Sequence, residues 1–122
     1  MKIVFPTMKE DGLSTKRGAH FGRANFYTLV TVENGIVQEM SIHKNPGHVT
    51  GACNAAVTNI QSLGADVLVV SGIGGEPLKK FLAVGVDVYF DDKNEVLEDS
   101  LREFLAGNIA KIDPNHSCNH KQ

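Results

Sequence analysis

The most informative part of the sequence is the stretch at residues 65–77, which reads ADVLVVSGIGGEP. A continuous apolar run of this kind is typical of a β-strand that is buried on both faces, as in a parallel sheet. The glycines after the run indicate a tight turn, and Pro77 suits the first turn of a helix. A strand, a glycine turn and a helix in this order predict an α/β fold.

Three runs near the start of the chain predict further strands, at residues 2–5, 26–32 and 36–43. Asn34-Gly35, a strong hairpin signal, joins the second run to the third. Alternation along the third run predicts one apolar face, formed by Ile36, Met40 and Ile42. The hairpin therefore predicts antiparallel pairing at the front of the sheet.

Apolar residues at helical spacing predict helices at about 52–63, 76–85 and 95–106. Gly64 and Gly107 follow two of these segments and are typical helix stops. The strands near Val67 and Val86 are expected to be parallel, because a helix lies between them. The prediction is thus a mixed sheet of about five strands with an N-terminal antiparallel hairpin and flanking helices.

Composition limits both the size and the function of the molecule. The chain has 122 residues, of which 42% are apolar, and this suits one domain with a real core. We expect that domain at residues 1–109, followed by a tail at 110–122. The net charge of −2 and the scattered basic residues argue against nucleic-acid binding. No stretch approaches the roughly 20 apolar residues of a membrane helix, so we expect a cytoplasmic protein without a membrane partner.

The glycine turn is the first candidate for a binding site. Ligands of open α/β sheets bind outside the carboxyl ends of the parallel strands. Gly72, Gly74 and Gly75 follow such an end, and glycine permits both positive φ and close approach of the backbone to a ligand. The free N–H groups at the start of the next helix favour an anion. The alternative is a tight turn without a ligand.

Two polar segments carry further candidates. In the first, His20 is a possible ligand or a surface histidine, and Arg23 can bind an anion through its planar guanidinium. In the second, His48 lies on a glycine-flanked loop, and Cys53 falls near a predicted helix start. A thiol there is favoured as thiolate, although Cys53 fits a core position equally well. His43 lies on the polar face of its strand and is expected to be exposed.

The tail places His116, Cys118 and His120 within five residues. These are soft metal ligands, but structural zinc needs four ligands and this motif lacks a second pair. The tail is therefore either a disordered terminus or a metal clamp that recruits another ligand, such as Cys53 or His48. In a reducing compartment, the two cysteines are expected to be thiols or metal ligands and not a disulfide.

A metal-dependent phosphodiesterase would need clustered carboxylates. The candidates are scattered, at Asp11, Asp66, Asp87, Asp91 and Asp92, and the last two point apart on an extended chain. The sequence offers no sharp catalytic constellation. Such an enzyme and a protein-interaction module without bound metal stay as alternative functions.

Three segments together resemble the dinitrogenase iron–molybdenum cofactor biosynthesis family, which includes NifX and the C-terminal part of NifB. They are residues 19–35, 45–90 and 96–109, with His-Phe-Gly at 20–22, DVLVVSGIGG at 66–75 and GVDVY at 85–89. The resemblance implies a ribonuclease H-like, three-layer α/β fold that lacks the nuclease carboxylates. It also implies a non-catalytic binding or carrier role for an iron–sulfur or iron–molybdenum type cluster, with a cluster donor or acceptor protein as a further partner.

The resemblance also implies where the cluster would lie. By position, His20 and the turn at Gly72–Gly75 belong to the cluster-facing end, and tails with histidine and cysteine are similar to those of small family members. Such a cluster is an anion with soft metals, so backbone N–H groups, a guanidinium, imidazoles and thiolates suit it.

Overall fold

The structure of the protein, a computed structural model, describes residues 1–8, 26–44, 60–73 and 75–112. Six strands form one sheet: β1 (Lys2–Thr7), β2 (Phe26–Glu33), β3 (Ile36–Lys44), β4 (Val67–Val70), β5 (Asp87–Phe90) and β6 (Ala110–Ile112). Two helices are described in full, α1 (Gly75–Ala83) and α2 (Leu97–Leu105). Residues 60–62 are also helical, at the end of the first predicted helix.

The strand order is β3-β2-β1-β4-β5-β6, and the sheet is mixed. Strand β4 pairs in parallel with β5, as predicted, and also with β1, whereas the other pairings are antiparallel. The prediction of about five strands was wrong, because β6 adds a sixth by pairing Ala110 with Phe90 and Ile112 with Val88. A strand of three residues is too short for alternation to be visible in the sequence.

Each face of the sheet carries its own core. Val4 and Leu68 share one face, which we call the α1 face because Leu78 and Phe81 of α1 pack there; Ile60 joins the same cluster. The neighbouring strand residues point to the other face, because side chains alternate along a strand. This α2 face is covered by α2, and its members are Ile3, Phe5, Val30, Val32, Val67, Val69, Leu97 and Leu101.

The hairpin between β2 and β3 closes as the sequence predicted. Asn34 has φ of 55° and Gly35 has φ of 78°, so both turn residues adopt the left-handed region that a two-residue hairpin turn requires. Asparagine and glycine are the residues that tolerate this region best.

A β-bulge in β3 alters the predicted face of that strand. Thr31 pairs with Glu39 and Val32 pairs with Val37, so Gln38 is an extra residue. Met40 packs against the α2 face as expected. Beyond the bulge, however, Val37 shares that face and Ile36 does not, which corrects the predicted grouping of Ile36 with Met40 and Ile42.

Two glycines end helices as predicted. Gly64 and Gly107 have φ of 78° and 81°, and their N–H groups donate to carbonyls three residues earlier. Each fully described helix has nine residues, so within the described part of the chain neither helix could cross a membrane.

Candidate functional site

The carboxyl ends of the parallel strands β1, β4 and β5 lie along one side of the sheet, which we call the carboxyl edge. The last residues of these strands are Thr7, Val70 and Phe90. Strands β2 and β3 meet the same edge, since Thr7 pairs with Phe26 and Phe26 pairs with Lys44. Strand β6 begins at this edge too, since Ala110 pairs with Phe90, so each of the six described strands has an end there, at the place where ligands of α/β sheets bind.

The predicted ligand-bearing segments are joined to this edge. Residues 9–25 connect Met8 to Phe26, and residues 45–59 begin after Lys44. His20, Arg23, His48, Cys53 and Gly74 themselves lie outside the described residues.

Gly72 and Gly75 lie at the carboxyl edge, between β4 and the start of α1. Neither adopts positive φ, so that part of the reason for expecting glycine here was wrong. Chain neighbours and the backbone of α1 aside, no atom of the described residues lies within 4 Å of a Cβ built on either glycine. Nothing in the described part of the chain thus blocks the approach of a ligand to the backbone at these two glycines.

Asp91 ties the glycine turn to the rest of the edge. Its backbone N–H donates to the Val70 carbonyl at 2.8 Å, and its own carbonyl accepts a 3.1 Å hydrogen bond from the Ser71 hydroxyl. Ser71 directly precedes Gly72. These two hydrogen bonds therefore attach the residue that follows β5 to the start of the glycine turn.

The Asp91 carboxylate is a buried acceptor, with the residue only 4% exposed. Its oxygens accept hydrogen bonds from the Ser100 hydroxyl, the backbone N–H groups of Lys93 and Asn94, and the Asn94 amide. Burial raises the pKa of Asp91, but these donors outweigh it and leave the pKa below its ordinary value. The sequence did not predict this role of Asp91. An aspartate before a loop and a helix is only a weak signal for hydrogen bonds of this kind.

Two other aspartates lie at the opposite edge of the sheet. Asp66 precedes β4 and accepts from the Lys2 N–H at 2.9 Å, and Asp87 begins β5 and pairs with Lys111 at 3.2 Å. The length of β4 and β5 separates them from Asp91, so the three carboxylates do not form one cluster. Asp11 lies outside the described residues.

His43 differs from its predicted exposure. It is half-buried, and its Nε2 atom lies 2.9 Å from the hydroxyl oxygen of Ser41. Tyr27, its partner in the register, belongs to the core of the α1 face, so His43 projects from that face one residue inside the carboxyl edge.

The first residues of the predicted tail form β6. Because β6 is antiparallel to β5, it starts opposite Phe90 and ends opposite Val88, and so carries the chain away from the carboxyl edge. His116, Cys118 and His120 lie outside the described residues. Within the described ranges, no group of three His, Cys, Asp or Glu side chains is placed to hold a metal ion.

A family model and one relative each match most of the chain. A family model described as dinitrogenase iron-molybdenum cofactor matches residues 1–107. The uncharacterized protein MJ0580 of Methanocaldococcus jannaschii is 26% identical over 117 residues, which covers 93% of this chain and 92% of that protein.

Solved structures show the same fold. The apo form of the orange protein from Desulfovibrio gigas superposes with a TM-score of 0.79 at 22% identity, covering 91% of this chain and 92% of that one. A Thermotoga protein solved by NMR as a candidate NifB protein, TM1290, gives a TM-score of 0.70 at 24% identity, covering 90% and 91%.

Proposed function

The chain belongs to the dinitrogenase iron-molybdenum cofactor family, and on this premise we propose that it is a non-catalytic binding or carrier protein for an iron–sulfur or molybdenum-containing cluster. Its role would be accessory to metal cofactor biosynthesis, with a cluster donor or acceptor protein as partner. One observation carries the proposal. The ends of the parallel strands and the attachment points of both ligand-bearing segments share the carboxyl edge.

The glycine turn is the proposed contact for the anionic surface of the cluster. Among the described residues, no side chain crowds Gly72 or Gly75, and Gly75 begins α1, whose first N–H groups carry partial positive charge. Gly74 completes the turn in this proposal. Arg23 would add a guanidinium, and His20 an imidazole, from the segment that ends at Phe26.

Direct ligation of metal is proposed for His48 and Cys53, because imidazole and thiolate are the ligands that iron and other soft or borderline metals prefer. We assign His116, Cys118 and His120 to a separate metal-capture arm. The support is the direction of β6, which runs away from the carboxyl edge and ends with Ile112 opposite Val88.

The hydrogen bonds and the positions of the aspartates support the non-catalytic assignment. Asp91 is buried and its carboxylate already accepts hydrogen bonds from its own loop and from α2. Asp66 and Asp87 lie at the other edge. A two-metal phosphodiesterase would need such carboxylates side by side.

We further propose that the fold is of the ribonuclease H-like type. In the order β3-β2-β1-β4-β5, strand β2 alone runs antiparallel to the other four, and helices pack on both faces. A mixed sheet with helices on both faces supports this proposal, and β6 is an addition at one side.

Anaerobic reconstitution with iron and sulfide, with and without molybdate, tests the proposed function. Metal content and the absorption spectrum of the repurified protein are the measurements. We expect the wild type to retain a cluster and the double variant His48→Ala/Cys53→Ala to retain far less. The matched control is His116→Ala/Cys118→Ala, which removes the same side-chain types from the tail and should keep most of the cluster. Equal retention of the cluster in both double variants would contradict the assignment of His48 and Cys53 as metal ligands.

A further inference from the structure

The hairpin turn at Asn34-Gly35 carries chemistry that the proposed site does not use. Asn34 is the one asparagine of the sequence that is followed by glycine. Both residues are exposed to solvent. Strand β2 starts at the carboxyl edge with Phe26 and ends with Glu33, so the hairpin turn lies at the opposite edge of the sheet. The length of the strands therefore separates it from the glycine turn.

An asparagine before glycine can lose its side-chain amide by a reaction with its own backbone. The Gly35 nitrogen attacks Cγ of Asn34, the bond from Cγ to the amide nitrogen breaks, and ammonia leaves with the proton of the Gly35 N–H. Water then opens the cyclic imide at either of its carbonyls, which leaves aspartate or isoaspartate at position 34. Glycine favours the attack because it has no Cβ to hinder the approach of its nitrogen.

The folded turn holds the reacting atoms apart. Ring closure needs the Gly35 nitrogen on the same side of the Cα–C bond as Cβ of Asn34. The φ values of 55° at Asn34 and 78° at Gly35 are those of a type I′ turn, whose first central residue is left-handed. In the left-handed region ψ is about 30–60°, which turns the following nitrogen away from Cβ. The reaction therefore requires the turn to open.

The end of the hairpin beyond Val32 is held by few buried contacts. Residues 33–39 are all exposed, so little apolar burial opposes their opening. The extra residue at Gln38 also interrupts the pairing next to Val37. Val32, in contrast, is buried and exchanges two backbone hydrogen bonds of 2.8 Å with Met1. The turn can therefore open while the rest of β2 stays paired with β1.

We propose that Asn34 is a deamidation site and that opening of the end of the hairpin, not unfolding of the whole domain, controls the reaction. Isoaspartate adds a methylene group to the main chain. Because turn type and loop length fix the register of a hairpin, we expect the modified turn not to close in the native register. The reaction also adds one negative charge to the net charge of −2. The inference does not depend on the proposed function.

Incubation of the full chain at mildly alkaline pH, with and without a denaturing concentration of urea, tests the proposal. Peptide mass spectrometry measures deamidation at position 34, and labelling by an isoaspartyl methyltransferase measures the isoaspartate product. We expect the reaction to be slower in the folded protein than in urea by roughly 10-fold or more, because it needs an unfavourable local opening. Asn34→Gln identifies the signal, since its longer side chain must close a larger ring and reacts far more slowly.

Two variants distinguish local opening from global unfolding, and both should react like wild type in urea. Val37→Gly weakens the strand pair next to the turn and should speed deamidation of the folded protein severalfold. Ile112→Ala destabilises the domain at β6 and should leave the rate unchanged. Equal rates in folded and urea-treated wild type would overturn the proposal, as would equal acceleration by the two variants. Absence of isoaspartate at position 34 after incubation in urea would also overturn it.

Discussion

The hydroxyl of Ser100 donates a 2.7 Å hydrogen bond to the carboxylate of Asp91, and both residues are buried. Ser100 lies in α2, whereas Asp91 follows β5 and its backbone holds Val70 and Ser71. A single aspartate thus links a helix on one face of the sheet to the turn at the proposed site.

Replacement of Asp91 by Asn is expected to destabilise the fold by about 2–3 kcal/mol. The amide would lose charge-assisted hydrogen bonds and present a donor where a buried hydroxyl and an amide now donate. Urea unfolding at neutral pH measures the change. Asp92→Asn, at an exposed neighbour, should stay within about 0.5 kcal/mol of wild type. Equal losses in both variants would contradict the role assigned to Asp91.

The same pair of variants should reveal the pH dependence. The pKa of Asp91 is lower in the folded protein than its ordinary value of 3.8. The stability that it contributes is therefore complete above that value and is lost as the pH falls through the folded pKa. The difference between wild type and Asp91→Asn should be constant from pH 7 to about pH 5 and shrink below about pH 4. A difference that grows on acidification would be inconsistent with a depressed pKa.

Glycine-to-alanine variants should show which glycines the fold needs for their positive φ and which it does not. Gly35→Ala is expected to cost about 1–2 kcal/mol, because φ of 78° is strained for a residue with a Cβ. Gly75→Ala should be neutral or slightly stabilising, since Gly75 is helical and the space around it is open among the described residues. Thermal unfolding measures both. If the glycine turn contacts a cluster, Gly75→Ala should nonetheless reduce cluster retention.

Glu76 lies in the first turn of α1 and is exposed. Its carboxylate stabilises the positive end of the helix but repels an anionic ligand there. Glu76→Gln is therefore expected to lower the free energy of unfolding by about 0.3–1 kcal/mol and to tighten the binding of an anionic cluster. Glu98→Gln, in the first turn of α2, is the matched control and should lower stability without changing cluster affinity. A fall in affinity for Glu76→Gln would count against an anion at this turn.

Ile112 tests whether β6 belongs to the folded domain. Its side chain is 5% exposed and packs in the core of the α1 face. Ile112→Ala should cost about 2–4 kcal/mol by removing buried methyl groups. Lys111→Ala should cost less than about 1 kcal/mol, because the ion pair with Asp87 is exposed to solvent. Chemical denaturation of both variants makes the comparison, and a neutral Ile112→Ala would place the end of the domain before β6.

Local signals in the sequence predicted much of this fold. The Asn34-Gly35 hairpin, the helix stops at Gly64 and Gly107, and the parallel pairing of β4 with β5 each follow from one strong local rule. The bulge at Gln38 could not be predicted, since the extra residue leaves a plausible alternation on either side of it.

The candidate site was predictable in part. The turn at Gly72 and Gly75 lies at the carboxyl edge because any βα connection from a parallel strand leaves there. The hydrogen bonds of Asp91 and of His43 depend on which residues face each other after folding, and no local pattern fixes that. The convergence of His20, Arg23, His48 and Cys53 stays a prediction, as does the role of the tail.

The bulge in β3 has a consequence for behaviour at high concentration. Among the six described strands, β3 is the longest and lies at one side of the sheet. A long, regular outer strand is a template on which other molecules can add strands and aggregate. The extra residue at Gln38 interrupts the spacing of the backbone N–H and C=O groups that an incoming strand would need to match. Deleting Gln38 would give this strand a regular hydrogen-bonding edge and make the protein more prone to self-association.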